Sequence, residues 1–519
     1  MNDSTRIALS LVSHTNAGKT TLARTLLARD VGEVRDAAHV TEFADAFTLI
    51  ETKHGDTLTL WDTPGFGDSV RLVKRLRQSA NPLGWFLSQV WDRWRDRPFW
   101  ASQRALRNVR DEADVMLYLV NAAESPEAAG YVAPEMELLG WIGKPVIVLL
   151  NQLGPPRETA QEAAEIERWR RHLAQHAQHA HVGAVLPLDA FARCWVQEGT
   201  LLQSIAAALP TAQRAAIGRL QAAWWAARMQ TFERSMRLLA ASLARLAAAS
   251  EAVPDPATFG ARLRRVGRAI GIGDAEQTPI ALAQKALAEQ LDAEVRASIG
   301  ELIALHGLEG RAQGEITLRL ATHFETRLRL DEGKAALWGG MVSGALVGLK
   351  ADILSGGLTL GGGLIAGGLI GALGAAGLAR CVNLVRGTDR SWVAWNAEAL
   401  DAMLEAALLR YLAVAHFGRG RGEWAQGESP AHWRETIQRA LAPHREALAI
   451  LWRERDTGAA PVGARGEVSR RGGAQDTPAQ TAAALEHVLT AAVAAALNEL
   501  YPDAPPLREN AHTEAHQPQ

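Results

Sequence analysis

Up to about residue 210 the chain alternates short apolar runs with longer helical patterns. Ile7–Val12, Ala44–Glu51, Thr57–Asp62, Asp114–Asn121, Pro145–Leu150 and Gly183–Pro187 are rich in Val, Ile and Leu and are bounded by turn residues. Such runs predict strands. Lys19–Arg29, Pro134–Trp141, Arg157–Gln178 and Gly199–Leu209 read as the helices between them. The alternation predicts an α/β fold whose mostly parallel sheet is covered by helices on both faces. Ligands of such sheets bind beyond the carboxyl ends of the strands.

From Thr211 the pattern becomes helical. Runs of Ala, Leu, Arg and Glu extend to Leu330, with breaks at Ser250–Phe259 and Gly271–Thr278. More helices follow to about Glu454, then a Gly, Ala, Arg and Pro-rich stretch that reads as a flexible linker. A last helix, Thr481–Leu500, precedes a polar tail expected to be disordered. The expected division is therefore 1–210 with an insertion at 68–113, a helical domain at 211–330, a hydrophobic hairpin at 331–385, a helical region at 386–455, a linker at 456–478, and a terminal helix with its tail at 479–519. The whole reads as an α/β domain followed by an all-α region.

Within the hairpin, residues 353–379 carry no charge, and ten of these 27 are glycine. Each glycine costs a soluble helix about 1 kcal/mol relative to alanine, so the run needs a reason. Gly340, Gly344 and Gly348 form one stripe, and Gly363, Gly367 and Gly371 another. Such stripes permit close helix–helix contact, as within membranes. The first arm is short for a span, and Lys350 and Asp352 near the tip are costly in hydrocarbon unless paired. A membrane-inserted or re-entrant hairpin, a packed soluble hairpin and an oligomeric pore all remain open, in that order.

Composition changes this picture little. A net charge of −2 over 519 residues points to no particular partner. Two distant cysteines, Cys194 and Cys381, exclude a disulfide framework and a zinc site and suit a reducing compartment. The first twenty residues lack the basic, apolar and small-residue regions of a signal peptide, so a cytoplasmic start is expected.

Chemistry enters at Ser13-His-Thr-Asn-Ala-Gly-Lys-Thr20, between a strand and a helix. That context is what a phosphate-binding loop needs: backbone N–H groups wrap the phosphates and a helix begins at the anion. Gly18 lets the backbone approach closely, Lys19 reaches the β- and γ-phosphates, and the Thr20 hydroxyl meets Mg²⁺. Ser13 stands where the motif has glycine, a position a serine tolerates at negative φ. Asp62-Thr-Pro-Gly65 follows a second strand, so Asp62 can hold Mg²⁺ through water and the Gly65 N–H can meet the γ-phosphate.

Asn16-Ala-Gly-Lys-Thr20 and Asp62-Thr-Pro-Gly65 together resemble the Era and TrmE-like branch of P-loop G domains, over roughly residues 5–210. The resemblance implies GTP and Mg²⁺, with Asn16, Ala17, Gly18, Lys19, Thr20 and Thr21 around the phosphates. It further implies that Asn16 helps hold a monovalent cation such as K⁺. Thr41, in loop 31–43, would be the first-switch threonine that closes over Mg²⁺ and, with Lys19, serves catalysis. Asn151, Gln152 and Ala190 would flank the base.

The chain departs from the family at three places. Asn151-Gln-Leu-Gly154 replaces Asn-Lys-x-Asp and lacks the carboxylate that accepts two guanine N–H bonds, a loss of about 1–3 kcal/mol or more of specificity. Leu188-Asp-Ala-Phe191 matches the second base loop only at Ala190. Phe66 stands where many GTPases place the glutamine that orients water, so slow hydrolysis is expected. A whole-chain similarity accounts for Gly154. Trp91-Asp-Arg-Trp-Arg-Asp-Arg97, the Asn-Gln-x-Gly loop and Leu349-Lys-Ala-Asp352 with its following glycines resemble bacterial GTPases whose C-terminal half is a domain of unknown function.

Within 71–110, ten Lys or Arg face two Asp, interleaved with Trp85, Phe86, Trp91, Trp94, Phe99 and Trp100. This suits an anionic membrane surface or a protein partner at 83–100, whereas nucleic acid is not expected. Equally, the tryptophans can form an inter-domain core beneath solvated arginines. The expected protein is a slow Mg²⁺-dependent GTPase switch, cytoplasmic and associated with the inner membrane through 335–379. A non-catalytic nucleotide-binding membrane scaffold and a soluble, cytosolic NTP-binding interaction protein are the alternatives.

Overall fold

The computed structural model describes residues 4–27, 45–78, 81–88, 97–154, 157–176, 180–190, 194–253, 279–308, 382–386, 391–416, 430–458 and 477–507. Thr41 with loop 31–43, residues 89–96 of the insertion, the glycine-rich segment 335–379, most of the expected linker and residues 508–519 of the polar tail lie outside the described residues, whereas the start of that tail is packed, with Leu507 buried and hydrogen-bonded to Asn498.

Six strands form the first sheet: β1 (Arg6–Ser13), β2 (Asp45–Glu51), β3 (Thr57–Asp62), β4 (Val115–Asn121), β5 (Pro145–Asn151) and β6 (His181–Pro187). Their order is β2-β3-β1-β4-β5-β6, parallel throughout except for β2, which runs antiparallel to β3 at the edge. Alternate residues of each strand face opposite sides. Ile7, Leu9 and Leu11 therefore join Leu58, Leu60, Leu117 and Leu149 in one core. Val12, Met116, Tyr118, Val120 and Val148 join another. Burial on both faces explains why β1 reads as a continuous apolar run rather than an alternating one. The β1–β3 register pairs Leu11 with Asp62, which sets Asp62 at the carboxyl edge beside the end of β1.

Helices cover both faces: α1 (Lys19–Leu27), α2 (Ser69–Leu76), α3 (Pro82–Ser88), α4 (Arg97–Asp111), α5 (Val132–Ile142), α6 (Thr159–His176) and α7 (Trp195–Ala208). The insertion supplies α2, α3 and α4. Its Phe86 and Phe99 are buried in the second core, while Trp85 and Trp100 are half-buried beneath Arg75 and Arg104, whose guanidiniums lie 5.6 and 5.3 Å from the ring centres. In this part of the insertion the aromatic rings serve packing and the arginines face outward.

The first core continues without a break into the helical half. There α8 (Arg214–Ala248) packs against α7 and β2. The Trp195 ring lies within 5.8–6.5 Å of Trp224, Trp225 and Phe232, and its Nε1 donates to the Tyr411 hydroxyl at 3.3 Å. α9 (Pro279–Leu305), α10 (Ala397–Ala415), α11 (Ala431–Leu441), α12 (Arg445–Gly458) and α13 (Thr477–Leu500) complete the bundle, with Leu239, Leu287, Leu404, Leu489 and Val493 buried at its centre. A three-stranded antiparallel sheet sits beside the bundle: β7 (Ser250–Ala252), β9 (Ser391–Trp395) and β8 (Val382–Arg386). Within α13, Pro478–Leu500 is long and apolar enough to cross a membrane, but half of its most apolar window is buried, and it packs chiefly on α8 and α11.

One ion pair joins the halves at the β2–β3 hairpin. Arg219 of α8 donates from Nε and Nη2 to the two carboxylate oxygens of Asp56, at 2.7 and 2.9 Å. Asp56 is fully buried and also accepts from the Thr5 N–H and the Thr52 hydroxyl. The guanidinium, chiefly, holds its carboxyl well below the usual carboxylate range.

Candidate functional site

The loop after β1 takes its shape from two residues with positive φ, Asn16 at 68° and Gly18 at 89°. Asparagine tolerates that conformation, and glycine is required at the second place. A Cβ on Gly18 would stand 2.6 Å from Asn151 Nδ2, which must move before any side chain fits. α1 begins directly after it at Lys19, so the helix N-terminus opens at the carboxyl edge of the sheet.

Lys19 is buried and donates from Nζ to Ser13 Oγ at 2.9 Å. The serine that replaces the motif's first glycine is thus an acceptor for the lysine. Burial lowers the lysine's pKa, opposed by the charges of Asp62 and Glu135. Thr20 Oγ1 donates to Asp62 Oδ2 at 2.5 Å. Burial pushes the Asp62 carboxyl up to about 6 against the pull of Thr20 and Lys19. Its other oxygen, Oδ1, is buried with no hydrogen-bond partner among the described residues. An orphaned carboxylate oxygen beside a threonine hydroxyl is a donor set that fits a hard divalent cation.

The Asp62-Thr-Pro-Gly65 turn is tied to the loop. Phe66 N–H donates to the Ser13 carbonyl at 2.8 Å, and Thr15 N–H and Oγ1 donate to the Phe66 carbonyl at 3.1 and 2.7 Å. A Cβ on Gly65 would lie 2.9 Å from Thr15 Cα and 3.1 Å from Lys19 Nζ, so Gly65 stands against the lysine. Phe66 is fully buried in the second core. Its side chain plugs the sheet rather than facing the cleft.

The far side of the cleft is built from Asn151 and its neighbours. Asn151 donates from Nδ2 to the Ala17 carbonyl and accepts at Oδ1 from the Ala190 N–H, both at 2.8 Å. Thr25 of α1 closes the ring by donating to the Ala190 carbonyl at 2.8 Å. Gln152 has φ 60° and Gly154 φ 82°. Thr21 is buried in the first turn of α1. The structure thus brings Asn16, Ala17, Gly18, Lys19, Thr20, Thr21, Asp62, Gly65, Asn151, Gln152 and Ala190 to one edge, and Thr41 lies outside the described residues.

Sequence reasoning missed a buried cluster behind the loop. His14 contacts Glu135 of α5 through Nδ1 at 2.8 Å and stacks on Tyr131 with ring centres 4.7 Å apart. Glu135 is fully buried, accepts from the Tyr118 hydroxyl at 2.8 Å, and burial raises its pKa. The one signal was a glutamate inside the apolar stretch of α5. Asp189 was also missed: its Oδ2 accepts the Leu153 N–H at 2.6 Å.

Comparison with known family models agrees with the architecture. Residues 8–152 match the family model described as 50S ribosome-binding GTPase. Among solved structures, Era in complex with MgGDPNP and a 16S ribosomal RNA segment is 18% identical (TM-score 0.28), covering 40% of this chain and 58% of that one. A single-residue variant of Aquifex aeolicus Era bound to GDP·AlF4⁻ is also 18% identical (TM-score 0.26), covering 40% and 57%. Toc33 from Arabidopsis thaliana with GDP and Mg²⁺ is 15% identical (TM-score 0.21), covering 37% and 74%. The chain thus spans somewhat over half the length of the two Era chains. No curated protein matches it. Residues 170–470 match the family model described as a domain of unknown function, DUF3482. With more than half its length in that match, the chain belongs to the DUF3482 family, and it carries a P-loop GTPase domain ahead of that region.

Proposed function

We propose that the chain is a Mg²⁺-dependent guanine-nucleotide switch with slow turnover, its helical half responding to the nucleotide. The observation that carries this reading is the convergence of Lys19, Thr20, Asp62 and Gly65 on one edge, with an unpartnered carboxylate oxygen among them. Lys19 and the N–H groups at the start of α1 grip the β- and γ-phosphates. Asn16, Ala17, Gly18, Thr20 and Thr21 surround them, with K⁺ beside Asn16. Thr20 and Asp62 hold Mg²⁺, which neutralises phosphate charge, and Thr41 closes over it. Asn151, Gln152 and Ala190 border the base.

Phe66 supports slow turnover, because a buried apolar ring cannot orient water. The same observation favours a second reading, a non-catalytic scaffold for which nucleotide is a structural ligand. Coupling to the helical half is supported by Arg219, which grips the hairpin between β2 and β3. The two loops that sense the γ-phosphate in this reading, 31–43 and 62–80, flank those strands. Membrane association is proposed through 335–379, since the long apolar helix α13 is packed in the bundle.

Purified protein is titrated with GTP, with and without Mg²⁺, and phosphate release is followed with and without K⁺ and liposomes. Mg²⁺-dependent binding with slow release supports the switch. Binding with no release supports the scaffold. No binding at all overturns both.

A further inference from the structure

The base end of the cleft lacks the acidic residue expected in its own loop. Gly154 stands there in a left-handed conformation, and a Cβ on it would meet nothing within 4 Å. A carboxylate nevertheless reaches this place from the neighbouring loop. Asp189, between β6 and α7, is 4% exposed and holds its Oδ2 on the N–H of Leu153, the residue just before Gly154. Its successor Ala190 is tied to Asn151, and Asn151 to the phosphate loop at Ala17. This chain of hydrogen bonds fixes Asp189 relative to the phosphate end. Among the described residues of the two base loops the other acidic group is Glu158, which is exposed.

We infer that Asp189 is the guanine-selecting carboxylate of this chain, supplied from the loop after β6 in place of the one missing at position 154. The inference rests on the guanine-nucleotide reading above. Guanine offers its N1–H and 2-amino group side by side, and a carboxylate accepts both. A carboxylate has about four acceptor sites, of which a single N–H fills one. Adenine offers neither donor at that edge, which leaves a buried charge facing an acceptor. The competing role is structural, a cap for the Leu153 N–H.

The test measures affinities of the full-length protein, with Mg²⁺, for GTP, ITP, XTP and ATP. ITP lacks the 2-amino group, so the wild type should bind it about tenfold or more weakly than GTP. Asp189→Asn should lose about tenfold or more in GTP affinity and gain for XTP, whose C2 carbonyl accepts from the new amide. Equal wild-type affinities for GTP and ITP overturn the inference while leaving nucleotide binding intact. So does an Asp189→Asn protein that weakens all four nucleotides alike, which is what a structural cap predicts, or one that is unchanged. If circular dichroism shows that the variant fails to fold, the wild-type GTP-to-ITP ratio decides the matter. A wild type that binds no triphosphate overturns the proposed function instead.

Discussion

The phosphate end and the base end of the cleft are built by different rules. In the proposed reading the phosphate end offers backbone N–H groups, a helix terminus and one lysine, and these need a particular backbone path. Gly18 and Gly65 stand where any side chain would collide, with Asn151 Nδ2 at 2.6 Å and Thr15 Cα at 2.9 Å. In the same reading the base end offers side-chain donors and acceptors borne by two loops. A carboxylate can come from either loop, and here the described one sits at Asp189 rather than at position 154. A grip made by backbone tolerates little sequence change, while one made by side chains can be relocated.

This difference predicts a gradient of effects. Gly18→Val should act hardest, because the new side chain meets both a forbidden φ and the Asn151 amide. Loss of triphosphate affinity of about a hundredfold or more is expected by titration, for all bases alike. Asp62→Asn comes next. Affinity measured with Mg²⁺ should fall by about tenfold to a hundredfold, and affinity measured with EDTA should barely change. An equal loss under both conditions would mean that Asp62 serves the fold rather than the metal.

Asn151→Ala sharpens the comparison, since this amide ties the two ends together. Leaving two buried partners unmet costs about 1–3 kcal/mol each, read as a lower unfolding midpoint in urea together with weaker GTP binding. The smallest effect on the cleft is expected from Arg219→Ala. It lies outside both ends, so affinity should stay within about twofold. Its mark should be on stability against pH. The folded-state pKa of Asp56 is depressed, so the pair's contribution is complete above the unfolded value near about 4. It is lost as pH falls through the lower folded value. Removing Arg219 should flatten the acid limb of the denaturation profile, and an unchanged limb would show that the pair does not couple.

Much of this architecture could be read from residues alone. The apolar runs gave the six strands of the first sheet because buried parallel strands have a simple signature. Gly18, Lys19 and Asp62 were legible because their spacing is set by a backbone path. Asp189 and Glu135 were not. Each matters through a partner far away in sequence, Leu153 or His14, and no local pattern marks such a meeting. The start of α7 was misplaced at Gly199 because the residue before the helix is Cys194, a poor capping type, with its N–H met by Gln197 Oε1 at 3.0 Å. The small sheet escaped notice because β7 has three residues and pairs with β9, over a hundred positions away. The apolar helix α13 is ambiguous by composition, and only its packing on α8 and α11 assigns it to the bundle.

The most direct measurement compares wild-type and Lys19→Ala proteins for Mg²⁺·GTP binding by calorimetry, with circular dichroism confirming that both are folded. Saturable binding by the wild type and none by the variant is the predicted result. Equal binding by the two would contradict the account, because the triphosphate would then be held somewhere other than the edge where Lys19, Thr20 and Asp62 meet.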